Sequence, residues 1–150
     1  MPPEGPTAVL LIAHGSRHAP ANDDLHRLAE RLSAGAGYPI VEAAFLELAE
    51  PDIAEGGGRC VARGARRVLM VPYFLSAGVH LIRDLTAARD DLKARHPGCE
   101  FRLGPPLGPH PILDRLVEER IRETDSEAAG PAYASSQELA RLYGPIEGHR

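Results

Sequence analysis

Residues 7–13 read TAVLLIA, an unbroken apolar run rich in strand-forming side chains. A strand with no polar alternation must be covered on both faces, which is the situation of a strand inside a parallel sheet. Three further runs of this kind follow, at Pro39 to Leu46 (PIVEAAFL), Arg66 to Tyr73 and Cys99 to Leu103. Between and after them lie stretches with apolar residues at helical spacing. Pro20 opens the first, marked by Leu25, Leu28, Ala29 and Leu32, which stops near Gly35 and Gly37. Leu81, Ile82, Leu85, Ala88 and Leu92 mark the third, and Leu113, Leu116, Val117 and Ile121 the fourth. Strand and helix thus alternate four times. That order predicts an α/β fold with a four-stranded parallel sheet, right-handed crossovers, helices on both faces and the first strand central.

The second helix is expected from Pro51 to about Gly64, but Gly56, Gly57 and Gly58 fall inside it. Each costs roughly 1 kcal/mol relative to Ala in a helix interior, so a kink or a broken first half is expected there. The segment Gly104 to Pro111 (GPPLGPHP) is read as loop, because its prolines fix φ and remove donors. From Thr124 onward the chain turns small and polar, with Ser135 and Glu138 placed to cap a short helix ending near Tyr143. The expected organisation is one domain over residues 1–123 with an appendage over 124–150.

At 150 residues the chain suits a single core, and a net charge of −4 gives no electrostatic case for nucleic acid. Neither a signal-peptide pattern nor a membrane-length apolar stretch is seen, so a cytoplasmic protein without membrane attachment is expected. Cys60 and Cys99 lack CxxC spacing and read as small core residues.

His14, Glu47 and His80 are equally spaced along the chain, and each falls just after, or a short loop beyond, the end of a strand. Open α/β sheets bind ligands at that edge, and two imidazoles with one carboxylate make a metal-ligand set. His14 sits in His14-Gly15-Ser16-Arg17, where Gly15 would let a substrate approach the backbone and free turn N–H groups would face it. The competing reading is a histidine that caps the strand. Glu47 either enters the crevice or is a solvated turn residue, with Glu50 better placed to meet the next helix. His80 stands at a helix start after the apolar Phe74, Leu75 and Val79; its alternative role is helix capping. His110 reads as pocket wall, and His18, His26, His96 and His149 as solvated surface.

Taken together, LLIAHGSR, FLELAEP, VPYFLSAGVH and GPPLGPHP resemble the small class II chelatases of cobalamin and sirohaem synthesis, the sirohydrochlorin cobaltochelatases and ferrochelatases. The resemblance covers Val9 to Arg122. It implies a flavodoxin-like, chelatase-like domain in which His14 and His80 bind the metal and Glu47 assists. It further implies that a one-half chain of this kind pairs as a homodimer. The implied reaction is ATP-independent insertion of a divalent ion into a sirohydrochlorin-type tetrapyrrole, with Co2+ preferred and Fe2+ or Ni2+ open, and no organic cofactor. His80 is then the expected base for the pyrrole protons. Phe74 and Leu75 would meet the ring, and Ser16, Arg17 and Arg83 its carboxylates.

A metal carrier or store could use the same ligands without turnover. A phosphohistidine phosphatase would want Arg immediately before the histidine, where this chain has Ala13, and no convincing phosphate loop supports a nucleotide-binding domain.

Overall fold

The computed structural model describes residues 4–35 and 37–126, together with Gln137, Ala140 and Arg141. The expected cap at Ser135 and Glu138 and the helix end near Tyr143 lie outside the described residues. The chain forms two compact units, Met1–Leu107 and Gly108–Arg150.

The first unit carries β1 (Thr7–Ala13), α1 (Ala19–Gly35), β2 (Ile40–Phe45), α2 (Ile53–Ala62), β3 (Arg67–Pro72), α3 (Val79–Arg95) and β4 (Glu100–Leu103). The sheet is wholly parallel with strand order β2-β1-β3-β4. β1 is central and its five inner residues are all buried, as its uninterrupted apolar run requires.

Side chains alternate across the sheet. Ala8, Leu10 and Ile12 of β1 face a core with Val68 and Met70 of β3, Ile53 and Cys60 of α2, and Leu85 and Leu92 of α3. Val9 and Leu11 face the other way, onto Val41, Ala43 and Phe45 and the α1 residues Leu25 and Ala29. Helix α1 therefore covers one face, and α2 with α3 the other. Fully burying each Leu, Ile or Phe contributes roughly 1.5–3 kcal/mol, so both sheet faces are held mainly by burial. Burial also pushes the Cys60 thiol up to about 12, with Glu42 acting in the same direction, and raises that of Cys99. Both cysteines are buried and free.

Helix α2 departs from the expectation at both its start and its middle. Pro51 is not helical, because its carbonyl accepts from the Phe45 N–H at 2.9 Å. Asp52 caps the helix instead, its side chain accepting from the Glu55 N–H at 2.8 Å. The glycines neither kink nor break the helix. A Cβ on Gly56 would lie 2.8 Å from Ala44 Cβ and 3.0 Å from Leu10 Cδ1, and one on Gly57 would lie 2.5 Å from Leu92 Cδ2. Gly56 lets α2 lie close against the sheet, and Gly57 leaves room for the Leu92 side chain of α3.

Two histidines read as surface are half-buried against aromatic rings that only the fold brings near. His26 meets Phe45 edge-on with centroids 5.6 Å apart, and His96 lies 6.1 Å from Phe101.

In the second unit, α4 (Pro111–Asp125) is capped by His110, whose Nδ1 accepts from the Ile112 N–H at 3.1 Å. No α4 residue is buried, and Ile112, Leu116, Val117 and Ile121 are exposed. Among the described residues no helix is long and apolar enough to cross a membrane.

Gly56→Ala is expected to cost roughly 1–3 kcal/mol through overpacking. Gly58→Ala, whose new Cβ would meet nothing nearer than His96 Nε2 at 4.0 Å, is expected to gain about 0.5–1 kcal/mol. Urea denaturation of the two variants checks both signs.

Candidate active site

The site lies where the connections leave the sheet. β1 exits toward α1 on one face, while its neighbours β2 and β3 exit toward α2 and α3 on the other. Loops that diverge in this way open a crevice beyond the carboxyl ends of the strands.

Beyond the last ladder pair, Ala13 with Phe45, two main-chain bonds still join the segments. The Leu46 N–H donates to the Ala13 carbonyl and the Glu47 N–H to the His14 carbonyl, each at 3.0 Å. This fixes the two backbones side by side, and the side chains meet, with His14 Nε2 2.8 Å from Glu47 Oε1. The pair is open to solvent, with side chains 61% and 59% exposed. Exposure leaves both groups free to exchange partners, and a pair so screened adds little to stability.

Gly15 makes this approach possible in a way the sequence did not indicate. At φ +99 it carries no side chain, and a Cβ there would lie 1.8 Å from the Glu47 carbonyl oxygen. The space expected to admit a substrate is filled by the Glu47 backbone. Leu48 follows at φ 64, a left-handed conformation that costs an L residue roughly 1–2 kcal/mol. The loop is tied down at its far end by the Phe45 N–H to Pro51 carbonyl bond.

The turn after His14 is also less free than expected. The Ser16 N–H donates to Asn22 Oδ1 at 2.9 Å and Asn22 Nδ2 returns to the Ser16 carbonyl at 2.7 Å, while Ser16 Oγ accepts from the His18 N–H at 3.1 Å. Asn22 on α1 thus clasps the loop. Its polar helical context gave no signal for this.

A cavity of about 610 Å3 opens beside the pair, lined by His14, Leu46, Glu47, Phe74, Leu81 and Asp84. Phe74 enters it from the loop after β3, held by the Leu107 N–H donating to its carbonyl at 2.9 Å. Leu75 is 72% exposed, and Arg17 and Arg83 are exposed. Asp84, absent from the sequence reading, comes from α3 with Leu81.

His80 is exposed in the first turn of α3 and does not cap it, since Gly78 is the N-cap and no side chain caps that end. It is not among the residues lining the cavity. Among the described residues, no group of three His, Cys, Asp or Glu is close enough to hold a metal ion. The structure therefore brings His14 and Glu47 together without a third such ligand beside them. His110 belongs to the second unit, with Nδ1 engaged in capping α4.

Residues 8–124 match the family model CbiX. The chain belongs to the CbiX family. It is 36% identical over 124 residues to the chloroplastic sirohydrochlorin ferrochelatase of Arabidopsis thaliana, covering 83% of this chain and 55% of that protein. It is 37% identical over 121 residues to a sirohydrochlorin cobaltochelatase of Priestia megaterium, covering 81% and 39%. The chain thus spans about half the length, or less, of these relatives. Among solved structures it resembles a cobalamin (vitamin B12) biosynthesis CbiX protein of Marinobacter aquaeolei VT8, with TM-score 0.68 and 33% identity over 79% of this chain and 97% of that one. The four-stranded parallel sheet of this CbiX chain is accordingly a chelatase-type α/β fold.

Gly15→Ala is expected to destabilise the protein by roughly 2–4 kcal/mol, combining left-handed strain with displacement of the Glu47 backbone. Gly37→Ala, at φ +79 with open space around it, is expected to lose only about 1 kcal/mol. Denaturation midpoints of the two variants separate strain from collision.

Proposed function

We propose that this chain inserts a divalent metal ion, Co2+ in preference to Fe2+, into sirohydrochlorin without ATP, in cobalamin or sirohaem synthesis and in the cytoplasm. The observation that carries the reading is the exposed His14–Glu47 pair on the wall of a cavity that is otherwise mostly apolar. The names of the relatives, a ferrochelatase and a cobaltochelatase acting on sirohydrochlorin, support the ring and both ions, without favouring one over the other.

The reaction must strip water from the cation, pucker the macrocycle and remove two pyrrole protons. An imidazole and a carboxylate can hold Co2+ or Fe2+ while water fills the remaining positions, which the ring nitrogens then take. A closed, fully protein-ligated cage would retain the ion. In this proposal His14 and Glu47 take up the incoming ion, and His80 adds a third ligand from the exposed start of α3. Phe74 and Leu75 meet the ring. Arg17, Arg83 and Ser16 receive its carboxylates.

We also propose that the active form is a homodimer and that residues 1–123 are its chelatase module. Four exposed aliphatic residues on one short helix, Ile112, Leu116, Val117 and Ile121, form the kind of apolar surface that soluble proteins cover by association.

Incubating the full chain at catalytic concentration with excess sirohydrochlorin and Co2+ or Fe2+ under anaerobic conditions tests the reaction by absorbance. Many equivalents of metallated product are expected, whereas a carrier would stop at one. His14→Ala is expected to lower turnover by a factor of 100 or more, a typical scale for loss of a positioned catalytic group, with an unchanged circular dichroism spectrum. Val117→Glu with Ile121→Glu is expected to reduce the mass measured by light scattering to that of one chain.

A further inference from the structure

The cavity has one carboxylate that the proposed metal site does not use. Asp84 lines it from α3, and its side chain takes part in no hydrogen bond or ion pair among the described residues. Glu47, by contrast, is already bonded to His14. The three residues do not make a group that could hold a metal ion together, so Asp84 stands apart from the pair across a shared space. Leu46, Phe74 and Leu81 line the same space. A flat ring seated against these apolar residues would have the His14–Glu47 pair and Asp84 as its polar neighbours.

We propose that Asp84 is the proton acceptor of metal insertion, an inference that rests on the chelatase reading. Each of two pyrrole N–H bonds must break, the electron pair remaining on nitrogen to bond the incoming ion. Side chains holding that ion have their lone pairs directed at it and cannot take the proton. Asp84 has no such engagement. One carboxylate oxygen forms an O–H bond with the first proton and passes it to water, since Asp84 is exposed, and then accepts the second. His80, the third ligand of the proposed metal site, precedes Asp84 by one turn on the same side of α3. The sequence led to His80 as the expected base; this proposal places the role on Asp84, which lines the cavity where His80 does not.

The test compares wild type, Asp84→Asn and Asp84→Ala as full chains, with the fold checked by circular dichroism. The amide keeps the shape and loses the base, so kcat for Co2+ insertion is expected to fall roughly 100-fold or more, with KM for sirohydrochlorin within about threefold. Affinity for Co2+ alone, read by titration calorimetry, is expected to stay within about twofold. Added formate is expected to restore part of the turnover of Asp84→Ala and none of that of His14→Ala. Unchanged kcat in Asp84→Asn overturns the role, as does a loss of Co2+ affinity parallel to the loss of turnover, which would make Asp84 a metal ligand. A wild-type chain that inserts no metal overturns the chelatase reading and this role with it; an active wild type with an active Asp84→Asn overturns this role alone.

Discussion

The hydrogen bond from the Glu47 N–H to the His14 carbonyl is the constraint on which the site depends. It is a loop bond just beyond the last ladder pair of β1 and β2, and it holds two residues far apart in the chain side by side. The residues near it serve that approach. Gly15 leaves room for the Glu47 carbonyl, Leu48 accepts a strained backbone to turn the chain, and the Phe45 to Pro51 bond closes the loop. A pair positioned by main-chain bonds does not depend on its own weak attraction for its geometry.

The exposure of that pair fits the proposed passage of a cation. A metal site that closes around its ion with many ligands is built for retention, and its affinity becomes folding energy. Here the polar pair sits beside Leu46, Phe74 and Leu81 on the α2 and α3 side of the sheet, and burial holds the fold together through two separate apolar clusters.

The sheet was legible because its signal is one-dimensional. TAVLLIA needs cover on both faces, and helical stripes such as Leu85 with Leu92 supply it on one of them. His14 and Glu47 were legible for a related reason, since residues just past strand ends must reach the rim. What could not be read depends on contacts across the fold. Helix propensity counts Gly56 and Gly57 as defects, and only the nearness of Ala44, Leu10 and Leu92 shows them as close-packing positions. His26 and His96 looked solvated because Phe45 and Phe101 are distant in sequence. Asp84 lay hidden among the polar residues of α3, where spacing alone does not tell which side meets a cavity. Likewise, nothing in the string HGSRHAPAN announced the clasp between Asn22 and Ser16.

The bare backbone of α2 at Gly56 ties the buried interior to the rim. The helix rests directly on Ala44 and Leu10, and its first turn is fastened through Asp52 to the segment that carries Glu47. The height of that segment above the sheet is consequently gauged by the thickness of a glycine. A core altered beneath the helix would be felt at the carboxylate as a shift in position, so buried residues share in aiming an exposed one.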